Sequence, residues 1–280
     1  MKTVAVYELP GNPRAAIIAR AFVEGIQRAG DMAIHRQALS HSGVEGDAAV
    51  FYGFMDPLPR LMQEYNALGK PAVHIDLGYW GRTQGGQMRG YHKVAVNSRH
   101  PTAYFQNREH DGSRVRQFGL HLKPWTGGRH ILVAGMSSKH ARVEGVAPQS
   151  WERDVIQRLQ SLTDRPIWFR PKPSDPKAFP LPGTEYARGK SLEQCLTNCH
   201  AVVTHHSNVA IDGAIAGVPN FSALGVATAI GKTDFDKIDD PIYPDGRKQW
   251  LKDIAWCQWN VEEMRNGSCW THLKNEGLIS

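Results

Sequence analysis

Three short segments of the 280-residue chain collect side chains able to hold an anion. Gly135-Met136-Ser137-Ser138-Lys139 combines a glycine, two hydroxyls and a cation, so backbone N–H groups, Oγ donors and charge can meet a phosphate; a plain polar turn has the same composition. Arg170-Pro171-Lys172-Pro173-Ser174 sets two cations among prolines, whose fixed φ keeps the segment extended at low entropic cost. Thr204-His205-His206-Ser207-Asn208 is the most informative stretch. Ser207 or Asn208 can cap the helix that follows and leave its first N–H groups to an anion. A simple cap with two satisfied histidines explains Ser207 but not the whole polar run.

A carboxylate at the carboxyl end of a strand can take a proton as a general base. Asp76 is the first candidate, Glu8 the second and Asp56 the third, since each follows a predicted strand; any of them can instead cap a helix or pair with an arginine. Near Asp76, the residues Tyr79, Trp80 and Arg82 are the candidate acceptor contacts. They open a region where Arg82, Arg89, His92, Lys93, Arg99, His100, Arg108, Arg114 and Arg116 interleave with Tyr79, Trp80, Tyr91, Tyr104 and Phe105. Such interleaving suits a nucleic-acid backbone with exposed bases. It suits a charged glycan too, and so does a basic loop over core aromatics. The formal net charge of +6 admits an anionic partner without choosing one.

The four cysteines, Cys195, Cys199, Cys257 and Cys269, lack a second tight pair and are expected to be buried free thiols, with no metal site. No apolar run approaches the ~20 residues of a membrane span. Glu8 and Pro10 interrupt the N-terminal run too early for a signal-peptide core. A cytoplasmic protein is the expectation.

The elements that would carry these segments alternate. A strand at 3–7 enters the Pro10-Gly11-Asn12-Pro13 turn, and Ile17, Ile18, Phe22, Val23 and Ile26 recur at helical spacing over 14–29. Strands at 33–36, 48–52, 72–75 and 94–96 and a helix at 58–68 complete a first set. After a linker with Pro124, Gly127 and Gly128, strands at 130–134, 166–170, 201–204 and 219–222 alternate with helices at 150–162, 191–198 and 209–216. Alternation of this kind predicts parallel sheets wrapped on both faces. The three anion-binding segments then follow strands, where open parallel sheets bind ligands.

The run His206-Ser207-Asn208, an apolar helix with Asp212, and Ala216-Gly217-Val218-Pro219 resembles the donor segment of GT-B glycosyltransferases. The likeness is to the capsule-polysaccharide and Kdo-transferase kind and to short phage-encoded relatives. In that kind a strand ends in Arg-Pro-His-Pro; here Arg170-Pro171-Lys172-Pro173 carries lysine instead. The resemblance covers roughly residues 130 to 222. It implies a nucleotide-sugar co-substrate on the C-terminal half, held by Gly135, Ser137, Ser138, Lys139, Arg170, Lys172, His205, His206, Ser207, Asn208 and Asp212. It also implies an acceptor on the N-terminal half and metal-independent transfer without a cofactor. With phage-encoded relatives, the acceptor could be a hydroxymethylated base in DNA, flipped from its stack, or else a surface polysaccharide. A non-catalytic nucleotide or nucleic-acid binding module and a sugar-nucleotide epimerase are the alternatives.

The expected architecture is therefore α/β, with two doubly wound Rossmann-like domains facing a cleft, of GT-B type. The N-terminal acceptor-side domain is expected at 1–125 and the donor domain at 126–255. A helical tail at 256–280 would pack across them, with Trp256 and Trp259 on one helical face.

Overall fold

The computed structural model describes residues 1–106 and 108–279. Its strands and helices, in chain order, are β1 (Thr3–Glu8), α1 (Pro13–Arg28), β2 (Met32–Gln37), β3 (Ala48–Tyr52), α2 (Leu58–Ala67), β4 (Ala72–Leu77), β5 (His92–Val96), α3 (Ser113–Gln117), β6 (His130–Ala134), α4 (Ser138–Val143), α5 (Ser150–Leu162), β7 (Ile167–Arg170), β8 (Glu185–Tyr186), α6 (Leu192–Leu196), β9 (Cys199–Thr204), α7 (Val209–Ile215), β10 (Asn220–Ser222), α8 (Arg247–Ala255), β11 (Gln258–Trp259), α9 (Val261–Arg265) and α10 (Ser268–Asn275). They form two compact units. The first joins Met1–Arg108 to the chain from Asp253 onward, and the second is Glu109–Lys252.

In the first unit the sheet runs β11-β5-β4-β3-β1-β2. The strands β1 to β4 are parallel, and the middle residues of β1, β3 and β4 are buried because helices cover both faces, while β2 lies at the exposed edge. The chain enters α1 through Asn12, whose side chain accepts from the N–H groups of Arg14 and Ala15 at 3.2 and 3.3 Å. Contrary to the all-parallel expectation, β5 runs antiparallel to β4. Residues 78–91 between them contain no helix, so the chain turns straight back instead of crossing over.

The C-terminal tail belongs to this unit. Its strand β11 pairs antiparallel with β5, and α9 lies against α1 at Gly25, where a Cβ would run into the carbonyl oxygen of Met264. Trp256 and Trp259 do not share a helix face: Trp259 is in β11, and the two rings meet edge-on at 5.9 Å. All four cysteines are buried free thiols.

In the second unit every strand is parallel, in the order β10-β9-β6-β7-β8. One face of the sheet packs Ile131, Val133, Phe169 and Val203 against Val155, Ile156 and Leu159 of α5. The other packs Leu132 and Val202 against Cys195 of α6 and Ala210 of α7. Sequence pattern had not separated α4 from a turn or found β8, both being too short for periodicity to register. No helix among the described residues is long and apolar enough to cross a membrane.

Candidate functional site

The strand order of the second unit decides what its loops can share. From β6 the chain proceeds outward to β7 and β8, then returns to the other side of β6 as β9 and β10. The reversal lies between β6 and β9, and beyond the carboxyl ends of such strands a crevice opens. The loops after β9, β6 and β7, widely separated in sequence, are thereby neighbours. Hydrogen bonds tie them together: Gly135 N–H donates to Arg170 O at 3.0 Å, Thr204 Oγ1 to Ala134 O at 3.2 Å, and Ser207 N–H to Thr204 Oγ1 at 3.0 Å.

Within this group the expected donor residues divide. Gly135 is buried, and a Cβ there would lie 2.9 Å from Phe169 Cε2 and 3.2 Å from Glu152 Oε1, so its part is steric. Ser137 caps α4, with His140 N–H donating to its Oγ at 3.3 Å. Ser138 is already engaged: its N–H and Oγ donate to Asp175 Oδ2 at 2.5 and 2.7 Å. Burial alone would raise the Asp175 pKa, but the Ser138 and Lys177 bonds with the Arg188 charge together hold it below the usual range. An internal carboxylate therefore sits where a phosphate oxygen was expected. Lys139 and Lys172 are exposed.

Around the β9 loop, aromatic and imidazole rings gather. His205 Nδ1 and His206 Nδ1 are 2.6 Å apart. The ring of His140 is 5.0 Å from that of His206, and Trp151 meets His205 edge-on at 5.6 Å. Nitrogen atoms of both histidines and a carboxylate oxygen of Glu144 all fall within 4.8 Å of one another, a set able to hold a cation. Ser207, not Asn208, accepts from the first helical N–H, that of Val209, at 3.3 Å; Asn208 holds the N-cap position without a side-chain bond. The helix α7 has only seven residues, so its dipole is smaller than the capped-helix expectation assumed.

Two expected donor residues face elsewhere. Arg170 follows Trp168 on the α6 side, near Cys195; burial raises that thiol's pKa and the Arg170 charge partly offsets it. Asp212 lines a separate cleft of about 660 Å³ with Lys123, Thr126, Leu192, Leu196 and Asn198. Sequence reasoning missed Glu152, Asp175, His140 and Glu144. Only the Pro-Ser-Asp-Pro run at 173–176 carried a signal, of the kind that marks an Asx turn, and Lys177 N–H does donate to Asp175 Oδ1 at 3.2 Å.

In the first unit, Glu8 ends β1, beside the reversal between β1 and β3, with His35 Nε2 at 3.1 Å. Asp76 sits near the end of β4, accepts from Leu77 N–H at 2.8 Å, and has Lys93 Nζ at 3.8 Å. Burial lowers the Lys93 pKa and Asp76 counters it. The acceptor reading needs correction at Tyr79, which is only 8% exposed and packed inside. Trp80 is half-buried and Arg82 exposed, its Nε donating to Gly78 O at 2.5 Å. A tail residue that sequence reasoning passed over, Gln258, organises this turn by accepting from the N–H groups of Tyr79 and Trp80 at 2.7 and 3.3 Å. Tyr91, His92, Lys93 and Tyr104 are buried as well, and desolvation brings the His92 pKa down to about 4. Much of the basic and aromatic interleaving is therefore core.

No protein-family model and no curated protein sequence matches the chain. Among solved structures it is similar to Thermosulfurimonas dismutans KpsC, beta Kdo 2,7 transferase, at 13% identity and a TM-score of 0.54, over 96% of this chain and 99% of that one. A second structure, KpsC, beta Kdo 2,4 transferase of the same organism, aligns at 11% identity and a TM-score of 0.46 over 79% of each chain. The fold is of the GT-B glycosyltransferase type. That fold was anticipated from the alternation of elements along the chain together with the resemblance over roughly residues 130 to 222.

Proposed function

We propose that this chain is a glycosyltransferase that takes a sugar from a nucleotide-sugar bound at the β6–β9 reversal of the second unit. The observation that carries the reading is the gathering of His140, His205, His206 and Ser207 at that reversal. Imidazoles and a hydroxyl there, with the exposed Lys139 and Lys172 on the adjoining loops, suit the negative charge that builds on a departing nucleotide. The whole-length likeness to a Kdo transferase supports a sugar acid as the group transferred. Basic groups of this kind can serve the leaving phosphate without a metal. Asp76 or Glu8 would take the acceptor's proton, each ending a strand of the first unit. A glycan hydroxyl suits the acceptor better than a hydroxymethylated base in phage DNA, because Tyr79, Tyr91, His92 and Lys93 are buried. The cytoplasm is the proposed setting for such a donor-dependent enzyme.

A thermal-shift screen of nucleotide-sugars and free nucleotides tests this. A donor at about 100 to 1,000 times its Kd should stabilise the protein by about 2.7–4.1 kcal/mol. His206→Ala, Ser207→Ala and Lys172→Ala should each weaken that protection and slow transfer to a glycan acceptor. If no nucleotide protects the protein, or protection survives all three changes, the transferase reading is wrong. Release of an altered free sugar without an acceptor would instead identify an epimerase.

A further inference from the structure

We propose that Glu8 is the carboxylate that takes the acceptor's proton, with His35 as its positioning residue, while Asp76 is held back as the counter-ion of a buried lysine. This assignment rests on the transfer reading and chooses between its two carboxylates. In the step concerned, the acceptor's hydroxyl oxygen bonds the anomeric carbon of the donor sugar. The bond from that carbon to the nucleotide's phosphate oxygen breaks, its electron pair leaves with the phosphate, and the hydroxyl proton passes to Glu8.

Both oxygens of Asp76 are engaged. Leu77 N–H donates to Oδ1 at 2.8 Å, and Lys93 Nζ lies 3.8 Å from Oδ2. The pairing is built into the sheet, because Asp76 and Lys93 stand opposite each other in the antiparallel ladder of β4 and β5. Lys93 is only 8% exposed; burial lowers its pKa, Asp76 counters that, and the charges of Arg99 and Arg82 lower it further. Were Asp76 to take a proton, this ammonium would be left desolvated near two other cations without its counter-charge, a costly change for a buried pair. A carboxylate so committed is a poor proton acceptor.

Glu8 carries no such commitment. It closes β1 beside the reversal between β1 and β3, where an open sheet of this kind binds ligands. Its side chain is 17% exposed, shielded yet reachable. His35 is the register partner of Val6 in the parallel ladder of β1 and β2, two residues before Glu8 and on the same face, and its Nε2 reaches within 3.1 Å of Glu8 Oε2. No partner of Oε1 is found among the described residues. One oxygen is thus steadied by the imidazole and the other is left to accept. The His35 side chain is 40% exposed, so a proton on Glu8 strands no buried charge.

The full chain is assayed with a panel of UDP-, TDP-, GDP- and CMP-activated sugars and an oligosaccharide acceptor. Glu8→Gln should lower kcat by about 100- to 10,000-fold. Nucleotide protection in the thermal-shift assay should remain, which shows that the variant is folded. His35→Ala should lower kcat by about ten- to a hundredfold with KM unmoved, and His35→Lys, which returns a cation to Glu8, should recover part of the loss. Asp76→Asn should lower the melting temperature, and adding Lys93→Met should restore it, because the stranded ammonium is then removed. That double variant should keep at least about ten times the kcat of Glu8→Gln. Transfer that survives Glu8→Gln, or that falls as far in the double variant, overturns the assignment; so does a melting temperature that Lys93→Met fails to restore. Absence of transfer from every donor by the wild-type chain overturns the transferase reading itself, and the assignment with it.

Discussion

Glu152 lies beneath the candidate donor loop and offers a sharp test of how that loop is held. The residue is 0% exposed; its Oε1 accepts from Met136 N–H at 2.5 Å, and its Oε2 has no partner among the described residues. Burial raises its pKa, with the Met136 bond only partly countering that. A raised folded-state pKa means that the neutral acid is the form the fold prefers. Its contribution is fully present below the ordinary carboxylate range and is lost as pH rises through the folded value. Replacing Glu152 with Gln keeps an acceptor for Met136 and removes the charge, so Glu152→Gln should match or exceed wild-type stability at pH 8 and show no advantage at pH 4. Glu152→Ala strands the Met136 N–H and opens a cavity, at a cost of about 2–4 kcal/mol. For a unit of this size that lowers the unfolding midpoint by roughly 4–16 °C. Calorimetry of both variants at the two pH values is the assay. A Glu152→Gln protein less stable than wild type at pH 8 would show that the loop depends on an ionised carboxylate and refute the reasoning.

Gly135→Ala places a Cβ 2.9 Å from the Phe169 ring, so it should destabilise by about 1–3 kcal/mol, read as a lower melting temperature, and displace the loop enough to reduce nucleotide protection. In the first unit, Asp31 accepts from Trp270 Nε1 and Lys274 Nζ at 2.9 Å each; burial opposes its ionisation, yet these bonds bring its pKa down to about 2. Its stabilisation is present above the ordinary aspartate value and disappears as pH falls toward 2, so Asp31→Ala should cost about 2–4 kcal/mol near neutrality and little at pH 2, measured by urea titration. The thiols of Cys195, Cys199, Cys257 and Cys269 should resist a thiol reagent in the native protein and all react in guanidinium, since each is buried and desolvation pushes Cys199 up to about 12. Rapid native labelling of any one would contradict the packing described.

The sequence by itself determined most of the longer elements. Buried runs such as Val4-Ala5-Val6 and Ala201-Val202-Val203 are apolar throughout because both faces of a parallel strand are covered, and the helix at 150–162 shows its spacing plainly. Polar loops after β6, β7 and β9 were legible for the same reason, as breaks in those patterns. Tertiary structure alone decided which loops are neighbours and which side chains are already spoken for. Periodicity assigns a residue to a face of its own element but does not name what covers that face. Hence Ser138 could not be seen to bind Asp175, nor Arg170 to turn toward Cys195, nor Tyr79 to be enclosed beside Gln258 from the far end of the chain. Glu144 reached the two histidines by the same route: a strand order that reverses at β6, bringing distant segments to one edge of the sheet.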